Sequence, residues 1–207
     1  MGTPARIPSG ADLDRLVAAA RTCTACELYR DATQTVFGEG PTDAKVMLIG
    51  EQPGDVEDVQ GRPFVGPAGG LLDRALKAAG LERDEVYLTN AVKHFRFTLR
   101  GKRRIHDKPG RVHIEACHPW LDAELNVLKP QVVVCLGATA VTAVLGSKYK
   151  VTKDRGELLP YRDGVRAVIT THPSAVLRMR DDDRKAAFEQ LVEDLAVVAQ
   201  AVGARPS

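Results

Sequence analysis

The chain has 207 residues, 44% of them hydrophobic and 27% charged, with a formal net charge of +2. That length and composition suit one soluble α/β domain with a sizeable core. No apolar run approaches the roughly 20 residues that span a bilayer and the N-terminal MGTPARIPSGADL is no secretion signal, so a cytoplasmic protein without membrane contact is expected.

Residues 11–21 (ADLDRLVAAAR) have helical periodicity and lead into CTAC, which holds Cys23 and Cys26. AKVMLIG (44–50) is a continuous apolar run ending in glycine, the pattern of a buried parallel strand, and EQPGD follows its carboxyl end. GRPFVGPAGG then opens a helix over about 68–80, and VYLTNAV (86–92) reads as a second strand. The basic stretch GKRRIHDKPGR (101–111) reads as a loop before an amphipathic helix at about 112–128, which carries Cys117 in ACHPWL. QVVVCLG (131–137) is a third strand with Cys135 inside it, followed by a short helix through Leu145. VRAVITTHPS supplies a fourth strand ending at Thr170 or Thr171, and a last helix covers roughly 183–201. The acidic run DDD before that helix suits its dipole.

Strands alternating with helices predict an α/β fold, a single three-layer αβα domain with a mostly parallel central sheet. No repeat, low-complexity tract or long linker divides residues 1–207. In such sheets the ligand crevice lies beyond the carboxyl ends of the strands. EQPGD, Asn90 and His172 all fall there. GxGxxG and Walker A patterns are absent. GPAGG could lend backbone N–H groups to a phosphate or simply serve a tight turn. Four cysteines without a secretion signal argue against a disulfide framework.

Charge is unevenly spread. From Lys93 to Arg111 eight lysines and arginines face one acid, Asp107, a local +7 that leaves −5 for the remainder. Such a stripe suggests a polyanion, DNA or RNA, against one face. A solvated loop is the plain alternative.

GEQPGDVEDVQGRPFVGPAG (50–69), together with VYLTNAVK and THPS, resembles the iron–sulfur uracil-DNA glycosylases of families four and five, over nearly the whole chain. The resemblance implies a uracil pocket built from Gly50, Asp55, Phe64 and Asn90, with His172 at its rim. The residue types suit the task. An extruded base needs a ring to stack on and polar groups for its edge. Phe64 offers the ring, and Asn90 a fixed acceptor and donors for uracil N3–H and O4. His172 can donate to O2 as charge develops on the leaving base, while Asp55 takes the family position near uracil C5. Glu51 matches the family's acid beside the sugar, comparable to the carboxylates of glycoside hydrolysis. Gln52 departs from the family's small residue, which speaks against simple water attack.

The same resemblance implies a [4Fe–4S] cluster on Cys23, Cys26, His94 and Cys117, with His94 standing where the family has a third cysteine. Cys₃His also suits zinc. Cys135 reads as a buried small hydrophobe, and His113 and His118 as surface positions, with His118 a reserve ligand. Between His94 and Cys117 lie 22 residues filled by the KRRIH insertion. This insertion, with GEQPG and AVKH, is similar to the X-type uracil-DNA glycosylases, which become covalently attached to their DNA. His106 is then implied as the nucleophile, and Lys102, Arg103, Arg104, Lys108 and Arg111 as phosphate contacts. A monomer acting on uracil-containing DNA, preferably single-stranded, is expected. Two other readings stand beside it: a turning-over glycosylase using water, and a non-catalytic metal-containing module that binds nucleic acid.

Overall fold

The computed structural model describes residues 4–162 and 164–204. In chain order the strands are β1 (Val46–Gly50), β2 (Val86–Asn90), β3 (Phe97–Arg100), β4 (Arg103–His106), β5 (Val132–Leu136), β6 (Leu159–Arg162) and β7 (Val165–Thr170). The helices are α1 (Leu13–Ala20), α2 (Asp55–Gln60), α3 (Pro67–Ala78), α4 (Arg111–Leu128), α5 (Gly137–Leu145), α6 (Val151–Asp154), α7 (Pro173–Leu177) and α8 (Asp181–Ala201).

Strands β1, β2, β5 and β7 pair in parallel, in the order β2-β1-β5-β7, and β6 closes one edge antiparallel to β7. Side chains alternate across a strand, which divides the core in two. Val46, Leu48, Val132 and Val134 meet Leu72 and Leu76 of α3 and Leu191 and Leu195 of α8. Met47, Ile49, Val133 and Cys135 meet Leu121 and Leu125 of α4 and Val141 of α5. The result is the expected three-layer α/β architecture. Cys135 is fully enclosed, and burial pushes its thiol up to about 12, as befits an inert packing residue. Among the described residues no helix is long and apolar enough to cross a membrane.

Helix α1 starts at Asp12, whose carboxylate accepts from the Arg15 N–H, and packs Leu16 and Ala20 against Phe37 and Trp120. This docks the segment leading to CTAC on α4. The basic stretch departs from its reading as a loop. It forms an antiparallel hairpin in which Phe97 pairs with His106 and Leu99 with Arg104. Gly101 takes φ 61° at the turn, a conformation open to glycine at little cost. Helix α2 and edge strand β6 were likewise not foreseen.

Candidate active site

A cleft of about 880 Å³ opens at the carboxyl ends of the strands, lined by Glu51, Gln52, Phe64, Asn90, His106 and His172 among others. Strand β1 ends at Gly50, where a Cβ would run into both the Asn90 Oδ1 and the Phe64 ring. Bare backbone at Gly50 therefore allows an amide and an aromatic face to stand side by side. Asn90 ends β2, is 3% exposed, and has its carbonyl held by Lys93 Nζ at 2.9 Å. Lys93 also donates to Thr89 Oγ1 and, at 2.6 Å, to Glu124 of α4, which further accepts from Tyr87 and Thr89. Lys93 and Glu124 are both buried, and these bonds satisfy what would otherwise be costly charges.

Phe64 is buried yet holds φ 54°, a left-handed conformation that costs a residue with a Cβ roughly 1–2 kcal/mol. Its carbonyl lies where any Cβ on Gly69 of α3 would project. The Phe64 and His172 rings are 6.2 Å apart and inclined by 31°.

His172 caps α7. Its Nδ1 accepts the Ser174 backbone N–H at 3.2 Å and lies 2.8 Å from Ser174 Oγ. A backbone amide can only donate, so a neutral His172 carries its proton on Nε2. Burial above all, then the nearby charges of Arg178 and His106, lower its pKa to about 4. It is a neutral N–H donor at ordinary pH.

His106 ends the hairpin with its side chain 49% exposed, and its Nε2 is 3.4 Å from Glu51 Oε1. The other Glu51 oxygen accepts from Thr139 Oγ1 of α5. Gln52, expected among the catalytic groups, instead spends its amide on the hairpin's base. Nε2 donates to the carbonyls of Arg96 and Asp107, and Oε1 accepts from the Arg96 N–H at 3.1 Å. Both ends of the Gln52 amide are thus taken up at the base of the hairpin that carries His106. Arg104, expected as a phosphate contact, is held by two acids. Its guanidinium lies between Asp55 and Asp58, each at 2.5 Å, and over the Phe95 and Phe97 rings, with the side chain 19% exposed. Asp55, expected in the base pocket, is exposed at the start of α2 and faces Arg104 instead of the cleft.

Of the remaining basic residues, Lys102 and Arg103 are exposed at the hairpin tip, and Lys108 lines the cleft. Arg111 is exposed and pairs with Glu115 one turn along α4. Arg178 lines the cleft, whereas Arg155 is committed to Asp194 and Gln190. Several contributors were not anticipated: Thr139, Lys93, Glu124, and the buried Glu57, whose carboxylate accepts the Gly66 N–H at 2.8 Å. Glu57 carries a faint signal, since DVED places it in the first turn of α2, but a charged helix start reads first as solvated.

Among the residues expected as metal ligands, Cys26 neighbours Cys117 and His94, and Cys23 lies against Trp120 of α4. Cys26, His94 and Cys117 are buried and Cys23 is half-buried, accepting from Trp120 Nε1 at 3.3 Å. The Cys26 thiol is drawn to low pKa by Cys117 and, against its own burial, by His94, while Cys117 is pushed up by Cys26 and by burial. His94 Nε2 meets Thr35 Oγ1 at 3.1 Å, but His94 Nδ1 is buried without a hydrogen-bond partner. An orphaned imidazole nitrogen beside thiols fits a set of metal donors. Among the described residues, no three acidic, histidine or cysteine side chains converge on one ion-sized point. His113 is not on the surface as expected: it is 4% exposed, accepting the Gly110 N–H at Nδ1 and meeting Glu27 at 2.7 Å through Nε2. It thereby joins the segment after CTAC to the end of the basic stretch. His118 pairs with Asp122 on the solvent side of α4.

The three-layer domain thus sets an amide, a ring and a neutral histidine around a cleft at the carboxyl ends of its parallel strands, an arrangement shaped to accept a flat polar ring. A profile of the Uracil DNA glycosylase superfamily matches residues 37–196, and the chain belongs to that superfamily. It is 38% identical to the type-4 uracil-DNA glycosylase of Thermotoga maritima, over 79% of this chain and 82% of that protein. It is 36% identical to the type-4 enzyme of Sulfurisphaera tokodaii, over 75% of this chain and 71% of that one. A type-5 uracil-DNA glycosylase of Pyrobaculum aerophilum is 31% identical over 65% of this chain and 63% of its own length.

Proposed function

We propose that the chain is a uracil-DNA glycosylase that captures the DNA it has acted on, through a bond between His106 and the abasic sugar. The observation that carries the second half is the 3.4 Å approach of His106 Nε2 to Glu51 Oε1 at the mouth of the base cleft, on a hairpin fastened by Gln52. Phe64 stacks the extruded uracil and Asn90 reads its N3–H and O4 edge. As the N1–C1′ bond breaks, its electron pair leaves with the base, and His172 Nε2–H donates to O2. The electron-poor C1′ is then attacked by a lone pair of the neutral His106 ring, forming a C1′–N bond. The remaining ring proton passes to Glu51. Positioning makes the imidazole's effective concentration far exceed that of water. The N-alkyl imidazole formed is a poor leaving group, so the bond persists and each molecule acts once.

A [4Fe–4S] cluster on Cys23, Cys26, His94 and Cys117 agrees with the donor set, because each ligand of such a cluster serves its own iron. When bound it supplies a cross-link between the N-terminal segment, the end of β2 and α4, and takes no part in the sugar chemistry. The exposed hairpin and the open cleft favour single-stranded DNA. The half-exposed His106 side chain also leaves room for a competing water, the reading in which the protein turns over. Counting uracil released per protein with excess substrate separates the two. One equivalent is expected, with a prolonged multi-turnover release contradicting capture.

A further inference from the structure

We infer that Arg83 is a positioning residue for base recognition, acting through Phe64; this rests on the reading of Phe64 as the platform for the extruded base. Phe64 carries a Cβ at φ 54°, a conformation that persists only where the surroundings impose it. Relaxing to negative φ would swing the ring out of its place over Gly50 and beside His172. Arg83 stands in a short 3₁₀ turn (Arg83–Glu85) just before β2, 19 residues from Phe64. Its guanidinium reaches back to two successive carbonyls, Nη1 to Phe64 O at 3.1 Å and Nη2 to Pro63 O at 3.2 Å. Asp73 of α3 orients it through Nη1 at 2.6 Å. On the other side, the Phe64 carbonyl presses against α3 at the position that Gly69 leaves bare. The strained peptide is thus gripped from both sides, and the planar fork of an arginine suits two adjacent acceptors as a lysine does not. What the arginine adds is a fixed geometry.

The test is a double-mutant cycle read by single-turnover uracil release with protein in excess over a uracil-containing oligonucleotide. Arg83→Met is expected to lower the maximal release rate by on the order of tenfold to a hundredfold, as small misplacements near reacting groups do. The half-saturating protein concentration, set mainly by phosphate contacts, stays within about twofold of wild type. In a Phe64→Ala background the same substitution should change the rate by less than about twofold, because residues acting as one unit are not additive. Arg83→Lys, which keeps the charge but not the fork, should fall between. A merely destabilised protein would raise the half-saturating concentration and leave the maximal rate unchanged. An Arg83→Met rate equal to wild type, or an equal loss with and without the Phe64 ring, overturns the inference alone. A wild-type protein that releases no uracil overturns the underlying reading as well.

Discussion

His172 keeps its proton on Nε2 because the Ser174 amide occupies Nδ1, and burial keeps the ring neutral. The sign of the pH effect follows. With a folded pKa of about 4 against about 6.5 in the unfolded chain, protons favour the unfolded state between those values. This histidine's effect on stability is therefore constant above about pH 6.5, turns unfavourable as pH falls toward 4, and levels off below. Replacing it with glutamine should flatten that part of a melting-temperature profile, and a His172→Gln profile parallel to wild type would contradict the assignment. That Glu51, Phe64, Asn90, His106 and His172 line one cleft could be expected from sequence for those that lie in or near a motif at a strand end. The partners of Asp55 and Gln52 were not legible. Asp55 begins a helix whose next turn brings Asp58 alongside it, so both face Arg104. Nothing in EQPGD says that Gln52 turns toward Arg96 and Asp107, 44 and 55 residues away.

The hairpin β3–β4 explains the insertion better than a loop does. One face carries Phe97 and His106 as one pair and Arg104 opposite the exposed Leu99 as the next. Phe97 stacks on Phe95 at 5.2 Å, Arg104 is tied to α2, and Gln52 closes the base. Gln52→Leu preserves the volume but removes three hydrogen bonds, so His106 should wander while the pocket survives. The expected outcome is uracil release within about tenfold of wild type with a much larger loss of covalent product, measured as the ratio of trapped to free abasic strand. An unchanged ratio would remove Gln52 from this role. The parallel strands were readable because they are continuous apolar runs bounded by glycine or polar residues. The hairpin was not, because RRIH is dominated by charge and strands of four residues are too short to show an alternation. Edge strand β6 was hidden by its proline, and His113 by its polarity, which hydrogen bonds with the Gly110 N–H and Glu27 satisfy in a buried place.

Over the whole molecule, the local +7 divides into structural and available charge. Lys93 is buried against Glu124 and Arg104 against Asp55 and Asp58, whereas Lys102, Arg103 and Lys108 remain exposed. Binding to a uracil-free single strand should therefore lose about 0.7 from its salt slope for each phosphate contact removed in Lys102→Ala or Arg103→Ala. Arg104→Ala should leave the slope nearly unchanged and damage capture instead. Fluorescence anisotropy across a salt series checks this, and equal slope changes for all three would contradict the division. Covalent capture is the claim on which the roles of the hairpin, Gln52 and Glu51 converge. The direct measurement is the intact mass, under denaturing conditions, of protein mixed with a uracil-containing single-stranded oligonucleotide. A species equal to protein plus oligonucleotide minus uracil, absent with His106→Ala, is the predicted result. Free uracil and an abasic strand beside unmodified protein would contradict it.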